Sequence, residues 1–315
     1  MSKSFSILSI LSAILLAVCP SLLSSQEIKI FDISDFDLRG NVKSCLVITD
    51  YGKEEYHFDA EGRLTKAVTR FNESNYETTY YKYQNGELIE KRVENYRDDA
   101  FDKATSIAHF YQIDTTANRK ITEKIVSYTK RLLEQNVYRY GPDGNLIKIT
   151  QTDTDGTDQT LVSYDTLDGK KITTHELNGR PLTSVHVWEK KTPQDVALRV
   201  KLTEKYFDGT LNTKTEEVYN SDEKLVSSAE SLYDESTEKW IPQVEISYTY
   251  DDKGMLSSAE TKRGNAVSSK EYIYQFDGTE HSNWVKEIVT PDNTYKTRRI
   301  KYYEVAVVEE QQENN

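Results

Sequence analysis

The sequence predicts an all-β protein: an antiparallel meander of repeated β-hairpins forming an extended, twisted sheet. Three observations carry this reading. Aromatic residues recur in pairs two positions apart, each pair runs into a turn signal built on Asp or Asn and Gly, and neighbouring copies stand about 25 residues apart. Side chains on a strand alternate with period two, so Tyr-x-Tyr places both rings on one face. Asp or Asn opens a turn by bonding nearby backbone, and Gly takes the positive φ that closes it. About 25 residues accommodate two strands and two turns.

The first element is a targeting segment. Lys3 is the sole charge before Glu27, and Phe5 to Val18 is an unbroken run of apolar residues and serines. A charged start followed by a short apolar stretch is the pattern of a secretory signal peptide, placed at residues 1–25. Two processing routes are open. Ser24 and Ser25 suit ordinary signal peptidase, leaving Gln26 first. Leu16-Ala17-Val18-Cys19 resembles a bacterial lipobox, which would anchor the chain by lipid through Cys19. Export is expected either way, to the periplasm or cell surface or beyond. Removing residues 1–25 takes away Lys3 and no acid, so the net charge of -12 becomes -12 - 1 = -13.

The repeat fills most of the remaining chain, read as one β domain over residues 26–304. Tyr56-His57-Phe58-Asp59-Ala60-Glu61-Gly62-Arg63-Leu64 is the clearest copy. Tyr248 to Leu256 matches it position by position, and Tyr138 to Leu146 does so with Gly141 in place of the first Asp. Tyr81 to Leu88 is one residue shorter. Degenerate copies begin at Tyr164, Phe207, Tyr219 and Tyr274, and the one at Tyr219 has Glu223 where Gly belongs. Between them, Ile107, His109 and Tyr111 share one strand face, and Ile121, Glu123, Ile125 and Ser127 share the next. A helix over 119–135 is the competing reading, because Lys124 to Glu134 holds good helix formers. Ser184 to Glu189 and Leu198 to Phe207 read as strands around a loop at 190–195. Residues 305–315 are expected to be a disordered acidic tail.

The segment Tyr56 to Leu64 resembles the YD repeat of the RHS and teneurin class. Asp37 to Ser44, Asn283 to Lys286 and Arg298 to Tyr303 look like the opening and closing segments of small exported YD-repeat proteins of Bacteroidetes. The resemblance implies a β-repeat fold and an exported location, and it carries no catalytic residue. Large RHS proteins wind such repeats into a shell around a cargo. At 315 residues this chain is expected to be too short to close one.

Composition excludes several functions. With 52 acidic against 40 basic side chains the chain has no field to hold a polyanion, so no nucleic-acid partner is expected. Two cysteines cannot form a disulfide scaffold or a four-thiolate zinc site. Mean hydropathy is strongly negative, and no membrane span is expected in the mature form. Cys45, in a strand-like run, reads as a small buried hydrophobe. The five histidines at 57, 109, 175, 186 and 281 show no metal-ligand spacing.

Asp153-Thr154-Asp155-Gly156-Thr157-Asp158 has alternating carboxylates like a calcium loop but also suits a polar hairpin tip. Lys296, Arg298, Arg299 and Lys301 are expected to guard a sheet edge or face an acidic partner. No catalytic, cofactor-binding or metal residue is assigned, and no cofactor. The function expected is a non-enzymatic binding or scaffolding role at the cell envelope toward a protein or glycan ligand. The alternatives are an envelope glycan-acting enzyme and a lipoprotein subunit of a larger assembly. The 22 tyrosines either pack the repeats together or present a binding face.

Overall fold

A computed structural model describes residues 28–304. The expected targeting segment with Cys19, and residues 305–315, lie outside the described residues. After a short 3-10 turn (Ile33–Phe36) the chain forms β1 (Val42–Thr49), β2 (Gly52–Phe58), β3 (Leu64–Arg70), β4 (Tyr76–Gln84), β5 (Glu87–Arg97), β6 (Ala100–Asp114) and β7 (Lys120–Ser127). It continues through β8 (Leu132–Tyr140), β9 (Leu146–Asp153), β10 (Thr157–Leu167), β11 (Lys170–Leu177), β12 (Arg180–Lys191), β13 (Ala197–Phe207) and β14 (Thr210–Tyr219). It ends with β15 (Leu225–Asp234), β16 (Lys239–Tyr250), β17 (Leu256–Arg263), β18 (Ala266–Phe276), β19 (Trp284–Thr290) and β20 (Thr294–Tyr302). β7 and β8 occupy the stretch for which a helix competed.

Each strand pairs antiparallel with its neighbours in sequence, as a meander should, but the sheet is not open. β1 also pairs with β20, Cys45 opposite Ile300 and Val47 opposite Arg298, so the 20 strands close into a barrel. This corrects the expectation of an extended, twisted open sheet. The physical reason lies in the second aromatic of the motif. Beside that aromatic the ladder slips at His57/Phe58, Lys82/Tyr83, Arg139/Tyr140, Val218/Tyr219, Thr249/Tyr250 and Gln275/Phe276, and further slips lie elsewhere, as at Lys205/Tyr206, Ile125/Val126 and Glu230/Ser231. A β-bulge bends its strand and increases the local twist. Bends repeated beside the motif turns curl the sheet until its ends meet.

Four of the motif turns and the loop at 192–196 share one geometry. The Asp59 N–H donates to the Arg63 carbonyl (2.9 Å), and the Gly62 N–H donates to the Asp59 carbonyl (3.0 Å). The same two bonds recur at 141–145, 192–196, 220–224 and 251–255. The fourth residue sits at positive φ in each: Gly62 (84°), Gly144 (81°), Asp195 (63°), Glu223 (59°) and Gly254 (78°). The degenerate copy with Glu223 thus keeps the turn without its glycine. Every turn from an even to an odd strand lies at one end of the barrel, here called the repeat end.

Residues 28–41 cross that end. Ile28 packs on Ile121, Tyr140, Leu146 and Val162 of β7 to β10, whereas Phe36 packs on Tyr56 and Phe58 of β2. From β8 to β2 the wall measures six strand spacings, about 29 Å. Eight residues that include a 3-10 turn reach roughly 21 Å. The segment therefore takes the chord, which places it inside the barrel, and the face it touches is the lumen. Ladder registers carry that assignment round the ring: Tyr56, Tyr81, Glu123, Tyr138, Lys201, Glu217, Tyr274 and Arg298 all point inward.

Candidate functional site: the tyrosine-lined lumen

The aromatic pairs Tyr56/Phe58, Tyr81/Tyr83, Tyr138/Tyr140, Tyr248/Tyr250 and Tyr274/Phe276 supply the inner face near the repeat end. Second aromatics there carry a shared clasp. The hydroxyls of Tyr83, Tyr164 and Tyr250 donate to the carbonyls of Leu64, Leu146 and Leu225, at 2.7, 3.0 and 2.8 Å. Tyr303 does the same to Phe58 across the closing seam, at 2.6 Å. Burial pushes the hydroxyls of Tyr56, Tyr81, Tyr83, Tyr111, Tyr138 and Tyr274 above the ordinary phenol range, Tyr81 to about 12. These tyrosines stay neutral, holding strands together and offering rings to the lumen.

The N-terminal segment is fastened to this face. Phe31 meets Tyr81 edge-on, Ile33 N–H donates to the Gly62 carbonyl, and Leu64 N–H donates to the Phe31 carbonyl. Arg298 closes the other side. Its Nη2 donates to the Phe36 carbonyl (2.9 Å) and its Nη1 to that of Asp37 (3.3 Å), with the guanidinium 3.5 Å from the Trp284 ring centre. Burial lowers the Arg298 pKa, while Asp37 and Glu287 oppose that shift. Asn283 exchanges two 2.8 Å bonds with the Arg39 backbone and donates to the Tyr302 hydroxyl.

Further along the wall, Glu123 is a buried carboxylate with its oxygens occupied. His109 Nδ1 lies 2.8 Å from one oxygen, while Asn136 (3.1 Å) and Tyr138 (3.0 Å) donate to the other. Burial alone would raise its pKa. The hydrogen bonds from His109, Asn136 and Tyr138, with the charge of His109, outweigh burial and hold the group down at about 2.

The residues singled out in the sequence are dispersed. His57 pairs with Glu55, His186 contacts Ser184, and the His281 ring lies tilted beside that of Tyr302. His175 is half-buried, and burial lowers its pKa. Among the described residues no three His, Cys, Asp or Glu side chains converge on a metal position. Asp153 accepts from the Asp155 and Gly156 N–H groups of its own hairpin tip, and Asp158 accepts from Asn178. Cys45 is buried, and burial pushes its thiol up to about 11.

The basic cluster does not guard an edge, because β20 has a neighbour on each side. Lys296 and Arg298 point inward, Lys296 onto Glu287 at 3.1 Å, and Arg299 and Lys301 point outward. Sequence reasoning missed the Glu123 network. Its signal was the alternation that put His109 and Glu123 each on one face of adjacent strands, without a register to join the two faces.

The outer face carries charge in the middle of its strands. Lys66, Arg92, Lys124, Arg139, Lys148, Glu204, Glu216, Glu245, Glu260, Glu271 and Arg299 project from it around the ring. No described helix is long and apolar enough to cross a membrane.

Comparison with protein-family models and with curated proteins finds no match. Among solved structures the chain is similar to a porin-like protein from Bacteroides vulgatus ATCC 8482, with 9% identity and a TM-score of 0.24, over 84% of this chain and 99% of that one. It is also similar to TcdB2-TccC3, with 12% identity and a TM-score of 0.21, over 80% of this chain but 17% of that one. A second TcdB2-TccC3 structure, without its hypervariable C-terminal region, gives 13% identity and a TM-score of 0.19. Similarity of this degree leaves the reading of the barrel to its own residues.

Proposed function

We propose that the protein is an exported, non-enzymatic member of the YD-repeat class that stands in water at the cell envelope and binds a glycan or protein ligand in its lumen. One observation carries the reading: the repeated aromatic face is turned inward around a space that residues 28–41 span at the repeat end only. At the far end the described connections are short turns. Convergent aromatic and polar side chains in a concavity are the usual makings of a binding site. A barrel immersed in lipid presents an apolar band outward, and a charge at mid-membrane is destabilising there. The ring of outward charges supports an aqueous exterior instead. Glu123, with its oxygens engaged and its pKa held low, suits a structural tether better than a general acid.

The experiment is a panel of immobilised envelope polysaccharides and peptides probed with the chain from Gln26 onward, purified without detergent. Two charge reversals are compared: Lys91→Glu in the lumen, where Lys91 is the ladder partner of the inward Tyr81, and Lys124→Glu on the outer face. Binding that the first alters and the second leaves alone is expected. Insolubility without detergent, or equal sensitivity to both, removes the proposal.

A further inference from the structure

The lumen holds a recess on β11 to β13, next along the wall from the strands that residue 28 reaches. Lys171, Thr173, Val185, Val187, Glu189 and Arg199 bound it, with a volume of about 460 Å³. That lies within the range of small-molecule sites, about 300–1,000 Å³. Two cationic groups face it with donors to spare. Arg199 stacks on Tyr219, its Cζ 4.2 Å from the ring centre, and its Nε and Nη2 are taken by Glu223. Its Nη1 is buried and has no hydrogen-bond partner among the described residues.

Buried guanidinium N–H groups are normally satisfied, so an orphan marks a place for an acceptor. Lys171 has no ion pair among the described residues, and its ladder partner on β12 is the apolar Val187. Opposite them Glu189, the ladder partner of Arg199, is likewise without an ion pair among the described residues.

Resting on the lumen reading, we propose that this recess binds an acidic sugar, its carboxylate between Lys171 and Arg199 and its hydroxyls on Glu189 and Thr173. A carboxylate accepts from both cations by charge-assisted hydrogen bonds, the stronger kind. Glu189 is an acceptor only, so it prefers ring hydroxyls to a second anionic group. Val185 and Val187 form an apolar floor for the pyranose ring.

The test is calorimetric titration with methyl β-D-glucuronide and, as the neutral counterpart on the same ring, methyl β-D-glucoside. The glucuronide is expected to bind at least about tenfold more tightly than the glucoside, and Lys171→Gln to weaken it by about tenfold or more. Lys171 is exposed, so this variant leaves the packing intact. Arg199→Lys, which keeps the charge but loses the planar fork, is expected to weaken the glucuronide more than the glucoside. Equal binding of the two sugars, no binding of the glucuronide, or indifference to Lys171→Gln overturns the proposal. Polysaccharide binding on the panel that survives Lys171→Gln overturns the recess alone. A panel without any binding overturns the lumen reading as well.

Discussion

Glu123 shows how one side chain ties the pH response to the fold. Its folded pKa is about 2 against an ordinary 4.5, so the group is depressed on folding. A depressed carboxylate contributes stability above its unfolded pKa and loses it as pH falls through the folded one. The contribution is of order 3 kcal/mol at neutral pH, lost between about pH 5 and pH 2. Melting temperature followed across that window is expected to fall steeply for the natural chain and less steeply for Glu123→Gln.

Two glycines separate backbone strain from crowding. Gly144 has φ of 81° with nothing among the described residues within 4 Å of an added Cβ, so Gly144→Ala is expected to destabilise by about 1–2 kcal/mol from conformation alone. Gly40 has φ of 79°, and the His281 ring fills the space a Cβ would need. Gly40→Ala is expected to lower the urea midpoint further than Gly144→Ala.

Among the elements, the N-terminal segment depends on others for its place. Its helical turn is a single 3-10 stretch capped by Asp32, and Arg298 supplies donors to its last carbonyls. Hydrogen bonds from a charged donor contribute about 1.5–3 kcal/mol each. Arg298→Met, which keeps apolar bulk over Trp284, is expected to speed tryptic cleavage after Arg39 by about tenfold or more. N-terminal sequencing of a fragment that begins at Gly40 would show it, and an unchanged cleavage rate would contradict it.

Hairpins were the legible elements. Tyr-x-Tyr, Asp and Gly state strand face and turn within nine residues, and β6 and β7 could be read from alternation around Thr115 to Asn118. The bulges beside most of these aromatics were not legible, because a ladder slip depends on the partner strand's register and changes no residue type; Tyr164 enters its turn with no slip at all. The role of Arg298 was hidden for a related reason. Whether a charge on β20 meets water or the carbonyl of Phe36 depends on β1 lying beside it, a contact more than 250 residues distant in sequence. The recess at Lys171 and Arg199 needs three strands in register before its groups share a space.

The whole molecule turns on closure. Cys45 and Ile300 are direct ladder partners across the seam and both face the lumen. Residues so paired have Cα atoms about 4.5–5.5 Å apart, within disulfide reach. Ile300→Cys is therefore expected to oxidise with Cys45, giving a species of altered mobility on non-reducing gels. The bond would close a loop of ~255 residues, for which chain entropy predicts about 5 kcal/mol of stabilisation. In an open sheet β1 and β20 would lie at opposite margins, and no intramolecular disulfide would form.

The seam also sets how the protein responds to a mechanical load. β1 enters and β20 leaves at the same end, side by side and antiparallel. A force drawing the two termini apart would not shear the whole ladder at once. It would strain the Arg39–Asn283 clasp and the Tyr303–Phe58 bond first, then part the seam like a zipper, one backbone bond after another. The hoop of 20 described strands is thus expected to yield to low pulling forces, opening along a single predetermined line.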